Sequence, residues 1–215
     1  MITSTSAAMV RRITRAYRAA PPAARAAGLG WYDEARRVAS VIDPFNPSRA
    51  AGVIAALSPR CQWSTNVVFA ERVIAAANAG RACPDVSTTA NRRTAWAIAT
   101  GTAALDALGT VALSGRVVSG HKVRSFFANI MGDDQAVTVD VWAWAVATNQ
   151  WRTHRGQRIP QDATMTGREY EVIADAYRRA AAILGVTPRE CQAAVWVAAR
   201  GTKPTDAGFH ARAAA

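Results

Sequence analysis

The chain carries apolar residues at spacings of three and four over most of its length, a pattern typical of amphipathic helices. The first such helix is predicted over residues 8–19 and ends before Pro21, because the residue preceding a proline avoids helical backbone angles. A nearly continuous apolar face over residues 48–78, interrupted at Pro59, predicts a buried pair of central helices. Further helices are predicted over residues 30–41, 92–100, 102–108, 121–131, 142–148, 166–184 and 187–200.

Polar and glycine-containing stretches separate these helices. Residues 80–91 and the basic stretch 149–165 are predicted as loops, and the tail after Gly201 is expected to be loose. Thr187 is followed by a proline in the first turn and by a glutamate three residues later, which predicts a capped helix start.

The composition favours helices over strands. Half of the 215 residues are apolar, alanine is abundant and runs of β-branched residues are short. The sequence therefore predicts an all-α fold with few strands or none. The length suits one domain over residues 1–215, or two closely packed helical subdomains, with a first helix and linker over 1–28 and a flexible tail over 201–215.

The formal charge of +11 is large for a chain of this size and suits a polyanion such as nucleic acid. The alternative is a solvated basic surface that follows from a general preference for arginine. Charge alone does not distinguish DNA, RNA and anionic lipid. We expect a cytoplasmic monomer without a membrane partner, in a bacterium or a phage-infected host cell, where it associates with the nucleoid.

The cysteines and the start of the chain exclude some classes. Cys61, Cys83 and Cys191 lie far apart without a CxxC pair, so they indicate neither zinc nor an iron–sulfur cluster. We expect reduced core cysteines and no cofactor or metal. No apolar run reaches the roughly 20 residues of a membrane-spanning helix. The Arg-rich start is similar to a mitochondrial presequence, but its helical spacing favours an ordinary first helix.

Lysine is rare in this chain, which has 24 arginines but only Lys122 and Lys203. Arginine cannot lose its proton and so cannot become a nucleophile, whereas a lysine can. Asp140 follows Lys122 by 18 positions in an apolar run. Burial lowers the pKa of a lysine whereas a nearby carboxylate raises it, so such a pair can tune the charge state of the amine.

The segments GHK at 120–122 and VTVDVW at 137–142 resemble the helix-hairpin-helix DNA glycosylases, the superfamily of endonuclease III and 8-oxoguanine glycosylase. In that family a glycine-bearing hairpin precedes a catalytic lysine, and an aspartate follows at this interval in an apolar frame. A weaker match lies upstream, where Leu57-Ser58 is followed by Asn66, much as in the helix that lines the family's base pocket.

The resemblance implies two helical subdomains with a cleft between them, a helix-hairpin-helix-like element, and an N-glycosylase, with or without AP lyase activity, acting on double-stranded DNA. The enzyme takes a damaged or modified base out of the stack. Lys122 then attacks the anomeric carbon and expels the base, while Asp140 deprotonates or orients the attacking group and stabilises the positive charge on the sugar. The alternative is a structural pair, in which Lys122 reaches a phosphate and Asp140 caps the following helix.

Other candidate site residues surround these motifs. Tryptophans at helical spacing, such as Trp144, suit a wedge or a base pocket but are equally typical of a core, and a basic loop is equally a solvated one. Three residues on one face of the last predicted helix either pack or close over the site: Gln192, Trp196 and Arg200. The candidates for base binding are Arg60, Gln62, Trp63, Asn66 and Trp142, and those for DNA binding are Ser119, Gly120, His121, Arg124, Arg152 and Arg155.

The chain departs from the family pattern at several positions. The usual hairpin L-P-G-V-G-x-K is replaced by RVVSGHK at 116–122, which lacks the proline and the first glycine. Trp142 replaces the histidine usually found two residues after the aspartate, and the cluster cysteines are absent. These departures favour a divergent branch. Glycosylase-like enzymes of viral DNA hypermodification and a non-catalytic DNA-binding protein are the alternatives.

Overall fold

The computed structural model describes residues 4–105, 111–113, 116–117, 120–162 and 164–201. Ten helices make up most of this described part, with five short strands in two small sheets, so the predicted helical class is confirmed. The helices are α1 Ser6–Ala19, α2 Pro22–Leu29, α3 Trp31–Ile42, α4 Pro47–Leu57, α5 Trp63–Asn78, α6 Thr89–Ala99, α7 His121–Met131, α8 Val141–Thr148, α9 Gly167–Leu184 and α10 Pro188–Arg200. The strands are β1 Ala104–Leu105, β2 Val111–Leu113, β3 Arg116–Val117, β4 Trp151–His154 and β5 Gln157–Pro160.

The chain divides into two compact units, and the division falls inside α3. Residues 4–32 and 133–201 form what we call the terminal unit, and residues 33–132 form the central unit. The first contains α1, α2, α8, α9, α10 and the β4–β5 hairpin, and the second contains α4 to α7 and the antiparallel sheet β1–β2–β3.

Helix α4 is the core of the central unit. All of its residues from Ala50 to Leu57 are buried, and α5, α6 and α7 pack around it. Its sequence is rich in alanine, so neighbouring backbones can approach closely without leaving cavities. The turn before α4 is tightly held, because the buried Asp43 accepts a hydrogen bond from Arg49 Nε at 2.6 Å and Asn46 caps the helix.

The terminal unit has its own core, built mainly from α1, α8, α9 and α10. Its fully buried side chains include Met9, Ile13, Ile173 and Tyr177. Helix α2 crosses α10 so closely that a Cβ atom on Gly28 would lie 2.3 Å from the Cα of Ala194. Only glycine permits this approach, because any side chain at this position would have to push the two helices apart.

Several predicted helices are confirmed with their ends. Helix α1 buries Met9 and Ile13 as its spacing predicted, and α4 and α5 form the pair broken near Pro59. Thr166 and Thr187 each form a full capping box with the glutamate three residues later, Thr187 as the sequence predicted. Local side-chain chemistry fixed these ends, because a cap needs only residues adjacent in sequence.

Three predictions about local structure were wrong. Residues 22–29, predicted as linker, form α2, since a proline at the first helical position favours a start. The basic stretch 149–165 contains a β-hairpin, whose turn residues Arg155 and Gly156 both have positive φ, as in a type I′ turn. Residues 104–105, predicted as helix, pair as β1, and residues 106–108 of that prediction lie outside the described part.

The cysteine prediction was right only in part. Cys191 is fully buried, whereas Cys61 and Cys83 are half-buried, and all three are free thiols. Burial raises the pKa of the Cys191 thiol to about 12.

Candidate functional site

Lys122 lies in the first turn of α7 in the central unit. Gly120, in extended conformation, caps this helix without a side chain, and α7 buries Phe126, Phe127 and Ile130 on its way across α4. The Lys122 side chain is half-buried, and its Nζ donates a hydrogen bond to Ser58 Oγ at 2.8 Å. The sequence motif around Lys122 and the upstream motif beginning at Leu57-Ser58 therefore meet in space.

Ser58 is the C-cap of α4 and presents its oxygen to the amine. Its hydroxyl proton is donated to Ala55 O at 2.8 Å, which leaves a lone pair facing Lys122. The carboxyl end of a helix also carries partial negative charge, and a cation placed there is stabilised. The end of α4 thus holds the amine through a neutral oxygen and a helix terminus.

Cys61 and Phe126 also lie near Lys122. We call Lys122, Ser58, Cys61 and Phe126 the amine cluster. The Lys122 Nζ lies 5.6 Å from the centre of the Phe126 ring, within cation–π distance. Burial raises the pKa of the Cys61 thiol above its usual value, and the nearby positive charge of Lys122 offsets part of that rise. The amine therefore lies close enough to influence the thiol electrostatically.

Asn66, predicted to read a base, is buried at 2% exposure in the second turn of α5. Its Nδ2 donates to Ile54 O at 3.0 Å, while its Oδ1 has no hydrogen-bond partner among the described residues. The neighbouring Trp63 is also buried, at 7% exposure. Both side chains belong to the packing between α4 and α5. Within this packing the Oδ1 atom of Asn66 is an acceptor without a hydrogen-bond partner among the described residues.

The connection between α4 and α5 exposes the other two base-binding candidates. Arg60 is exposed and has a left-handed φ of 57°, and Gln62 is the exposed N-cap of α5 without a side-chain cap bond. These two polar side chains therefore project from a tight turn that begins at Ser58.

Asp140 lies in the terminal unit and is the N-cap of α8. Its Oδ1 accepts hydrogen bonds from the backbone N–H groups of Trp142 and Ala143, each at 2.9 Å. Its Oδ2 accepts from Trp196 Nε1 at 2.8 Å. Three N–H donors thus hold the Asp140 carboxylate in place. We call Asp140 and these three donors the carboxylate cluster. The capping role is the one that the structural alternative predicted.

Aromatic side chains from α3 and α10 stand beside this carboxylate. The Trp196 ring packs edge-on against Trp31, with centroids 5.4 Å apart, and the Arg200 guanidinium lies 4.8 Å from the Trp196 centroid. Tyr32 donates to Gln192 Oε1 at 2.6 Å. Gln192, Trp196 and Arg200 share one face of α10 as predicted, but the indole bond to Asp140 was not predicted, because nothing local in sequence connects positions 56 residues apart.

The remaining base- and DNA-binding candidates of the terminal unit lie on the hairpin or beside it. The ring centroids of the half-buried Trp142 and of Trp151 are 6.1 Å apart. The Arg158 guanidinium lies over the Trp151 ring, 4.5 Å from its centroid. Arg152 forms a 3.6 Å ion pair with Asp162, and Arg155 is exposed at the hairpin turn.

The predicted DNA-gripping hairpin is described only in part. Ser119 lies outside the described residues, and Gly120 is exposed. Arg116–Val117 form β3, so the sheet β1–β2–β3 stands between α6 and α7 in the described part of the chain. Arg124 Nη2 lies 3.1 Å from His121 Nδ1 at the start of α7.

The sequence matches a family of unknown function (DUF7178) over residues 2–203. The chain belongs to this family. No curated protein and no solved structure matches it significantly. Membership in DUF7178 therefore brings no ligand or reaction with it, and the chemistry has to be argued from the two clusters.

Two further findings concern the described residues of the DUF7178 chain. No three His, Cys, Asp or Glu side chains of the described residues come together as a metal site would need. Among the same residues, none of the helices combines the length and the hydropathy required to span a membrane.

Proposed function

We propose that the protein is a DNA glycosylase-like enzyme that acts on a damaged or modified base flipped out of the duplex. Lys122 is the nucleophile and Asp140 is its carboxylate partner. The observation that supports this most is the 2.8 Å bond from Lys122 Nζ to Ser58 Oγ. It brings together the GHK segment and the weaker upstream match that begins at Leu57-Ser58.

The proposed reaction exchanges one bond for another at the sugar. The lone pair of the neutral Lys122 amine forms a bond to C1′, and the glycosidic bond breaks with its electron pair leaving on the base, which takes up a proton. Opening of the sugar ring then gives an imine between Nζ and C1′. Loss of the proton at C2′ expels the 3′-phosphate by β-elimination, which cleaves the strand.

The amine cluster suits a lysine that has to react. A hydroxyl partner carries no full negative charge, so it favours the charged ammonium form of Lys122 less than a carboxylate partner would. Arginine at this position could make the same contact but could not lose a proton. This accounts for one of only two lysines in an arginine-rich chain.

The carboxylate cluster suits a group that stabilises positive charge. Asp140 is held in one orientation by three N–H donors, so it needs little rearrangement when charge develops on a sugar.

We assign the step of entering the base stack to Phe45. Its side chain is 100% exposed, and it is the only fully exposed aromatic among the described residues. Of the three tryptophans predicted for this role, Trp63 and Trp144 are both 7% exposed and belong to the cores, and Trp142 is half-buried beside Trp151. Phe45 lies in the turn whose backbone is held by hydrogen bonds of Asp43 and Asn46. A hydrogen-bonded turn of this kind suits a side chain that inserts as an apolar wedge between bases.

Borohydride trapping on duplex DNA with damaged or modified bases tests the proposed chemistry. Reduction converts an imine into a stable covalent link, so an enzyme using Lys122 is expected to become attached to its substrate strand. Lys122→Ala should abolish trapping while leaving DNA binding within about twofold. Lys203→Ala is the matched control, because it removes the only other lysine of the chain and should trap normally.

Trapping that persists in Lys122→Ala and disappears in Lys203→Ala would overturn the assignment of the nucleophile. Tight binding without trapping on any substrate would instead favour a base-modifying enzyme on the same scaffold, or a non-catalytic DNA-binding protein. A Phe45→Ala variant, which alters only an exposed side chain, should bind DNA but reduce trapping at least tenfold. Phe45→Leu should restore most of it.

A further inference from the structure

An open groove of about 610 Å³ runs along α1 on the surface of the terminal unit. Three arginines of α1 line it, together with Thr14 and the apolar residues Val10, Ala19 and Ile183. At about 1.5 Å of rise per residue, Arg11, Arg15 and Arg18 extend over roughly 10 Å of the helix. That length matches three to four phosphates of one DNA strand, which lie about 3.4 Å apart along the duplex axis.

The three arginines are not engaged within the described part of the chain. Arg11, Arg15 and Arg18 are exposed, and none has a hydrogen-bond or ion-pair partner among the described residues. Arg12 on the same helix contrasts with them, because its Nη1 donates to Ala147 O at 3.0 Å and to Ser4 Oγ at 2.9 Å. Helix α1 itself contains no acidic residue. The side of α1 that faces the groove therefore carries three positive charges that no acidic residue of this helix neutralises.

Thr14 provides a second, independent sign of a ligand. Its side chain lines the groove at 9% exposure, and its hydroxyl has no hydrogen-bond partner among the described residues. A buried hydroxyl without a partner is unusual in folded proteins. A phosphate oxygen bound among the guanidinium groups would supply the hydrogen-bond acceptor that this hydroxyl lacks.

We propose that this groove binds the phosphodiester backbone of DNA. The inference rests on the proposed function only for the choice of DNA as the polyanion. Guanidinium groups bind phosphate oxygens in pairs of parallel hydrogen bonds, which three free arginines in a row can provide. An anionic membrane fits less well, because an interfacial helix buries its apolar face in lipid and the apolar residues Met9 and Ile13 of α1 are already in the core.

The test is the salt dependence of binding to a short undamaged duplex, measured by fluorescence anisotropy. The triple variant Arg11→Gln, Arg15→Gln, Arg18→Gln is expected to bind about tenfold more weakly at low salt and to lower the slope of log K against log salt by about 2 to 3. Restoring the charge with lysine at the same three positions should restore the slope.

A matched control replaces three exposed arginines of the central unit, Arg72, Arg81 and Arg93, by glutamine. This removes the same net charge and should change the affinity by less than threefold. Thr14→Val keeps the shape of the side chain and should weaken binding two- to fivefold with the slope unchanged. Equal losses for the two triple variants would overturn the proposal, since bulk charge would then explain binding.

Binding and chemistry fail separately in this design. If the triple variant binds DNA as tightly as the unchanged protein and trapping still depends on Lys122, the groove is not the DNA-binding surface, and the proposed function is unaffected. A groove-dependent affinity without trapping on any substrate would do the reverse. Vesicles of phosphatidylserine and phosphatidylcholine form the third arm, and groove-dependent binding to vesicles but not to DNA would overturn the proposal in favour of a lipid surface.

Discussion

The amine cluster around Lys122 and the carboxylate cluster around Asp140 were both selected by one sequence motif, yet they are built differently. Asp140 receives two backbone N–H groups and one indole N–H, so its position is part of how α8 begins. Lys122 donates to the hydroxyl oxygen of Ser58 at the end of α4 and lies near the Cys61 thiol and the Phe126 ring. The carboxylate is held by N–H groups that begin a helix, whereas the amine contacts a hydroxyl group at the end of one.

This difference separates stability from chemistry. Removing Asp140 damages both the fold and the proposed reaction, so loss of activity in an alanine variant teaches little. Removing Lys122 should cost the fold little, so loss of activity there reports on chemistry. The variants below test whether the two clusters differ in this way.

The largest expected effect is that of Asp140→Ala. Loss of the cap and of the partner of the Trp196 indole should lower the free energy of unfolding by about 2–4 kcal/mol, measured by urea denaturation. Asp140→Asn retains a capping oxygen but turns an amide NH2 group towards the Trp196 indole N–H, so it should cost about 1.5–2 kcal/mol, less than alanine, while abolishing trapping. Equal destabilisation by both substitutions would show that the charge, and not the cap, holds this region.

Trp196→Phe is a milder change within the carboxylate cluster. The ring against Trp31 is kept, but the hydrogen bond from the indole N–H to the carboxylate is lost, with an expected cost of about 1.5–2 kcal/mol. Thermal unfolding followed by near-ultraviolet circular dichroism measures it. No change in stability would mean that the two backbone N–H groups suffice to hold Asp140.

Lys122→Met should destabilise by about 1 kcal/mol, because it removes the hydrogen bond from Nζ to Ser58 Oγ but also the cost of half-burying a charge, and it keeps most of the bulk of the side chain. Ser58→Ala is the matched change on the partner and should have a similar effect. A loss of several kcal/mol in either variant, measured by the same urea titration, would show that Lys122 and Ser58 contribute more to the stability of the fold than this hydrogen bond explains.

The smallest effect concerns Cys61. Burial raises the pKa of its thiol and Lys122 lowers it, so removing the positive charge should raise the pKa further. The thiolate fraction at pH 8 then falls, and Lys122→Met should slow alkylation of Cys61 by a factor of about two to five. Cys83 is the internal reference, since its thiol lies near Arg92 and Asp85 and should react unchanged. Faster alkylation of Cys61 would mean that the substitution opens the cluster to solvent.

The sequence predicted what depends on neighbours along the chain. The apolar spacing of α1 and the capping box at Thr187 involve residues within a few positions of one another, and both are confirmed. The β4–β5 hairpin was missed because its left-handed turn position carries Arg155 where asparagine or glycine is usual. Likewise the bond between Trp196 and Asp140 depends on tertiary packing, for which no local pattern exists.

The candidate residues show the same limit. Composition singled out Lys122, and spacing singled out Asp140, because both are features of a one-dimensional pattern. Exposure is not such a feature, so Trp63 was predicted at the base pocket and is buried, while Phe45 was overlooked and is fully exposed. The unpartnered hydroxyl of Thr14 is equally invisible in the sequence, since it depends on what surrounds one oxygen atom.

The most direct test of the central claim is the site of covalent attachment after borohydride reduction. The trapped protein is digested, and the peptide that carries the nucleotide remnant is sequenced by mass spectrometry. We predict a single adduct on Lys122, which is lost in Lys122→Met and retained in Lys203→Ala. An adduct on Lys203 or on the terminal amine, with Lys122 unmodified, would contradict the claim that the amine on α7 is the nucleophile.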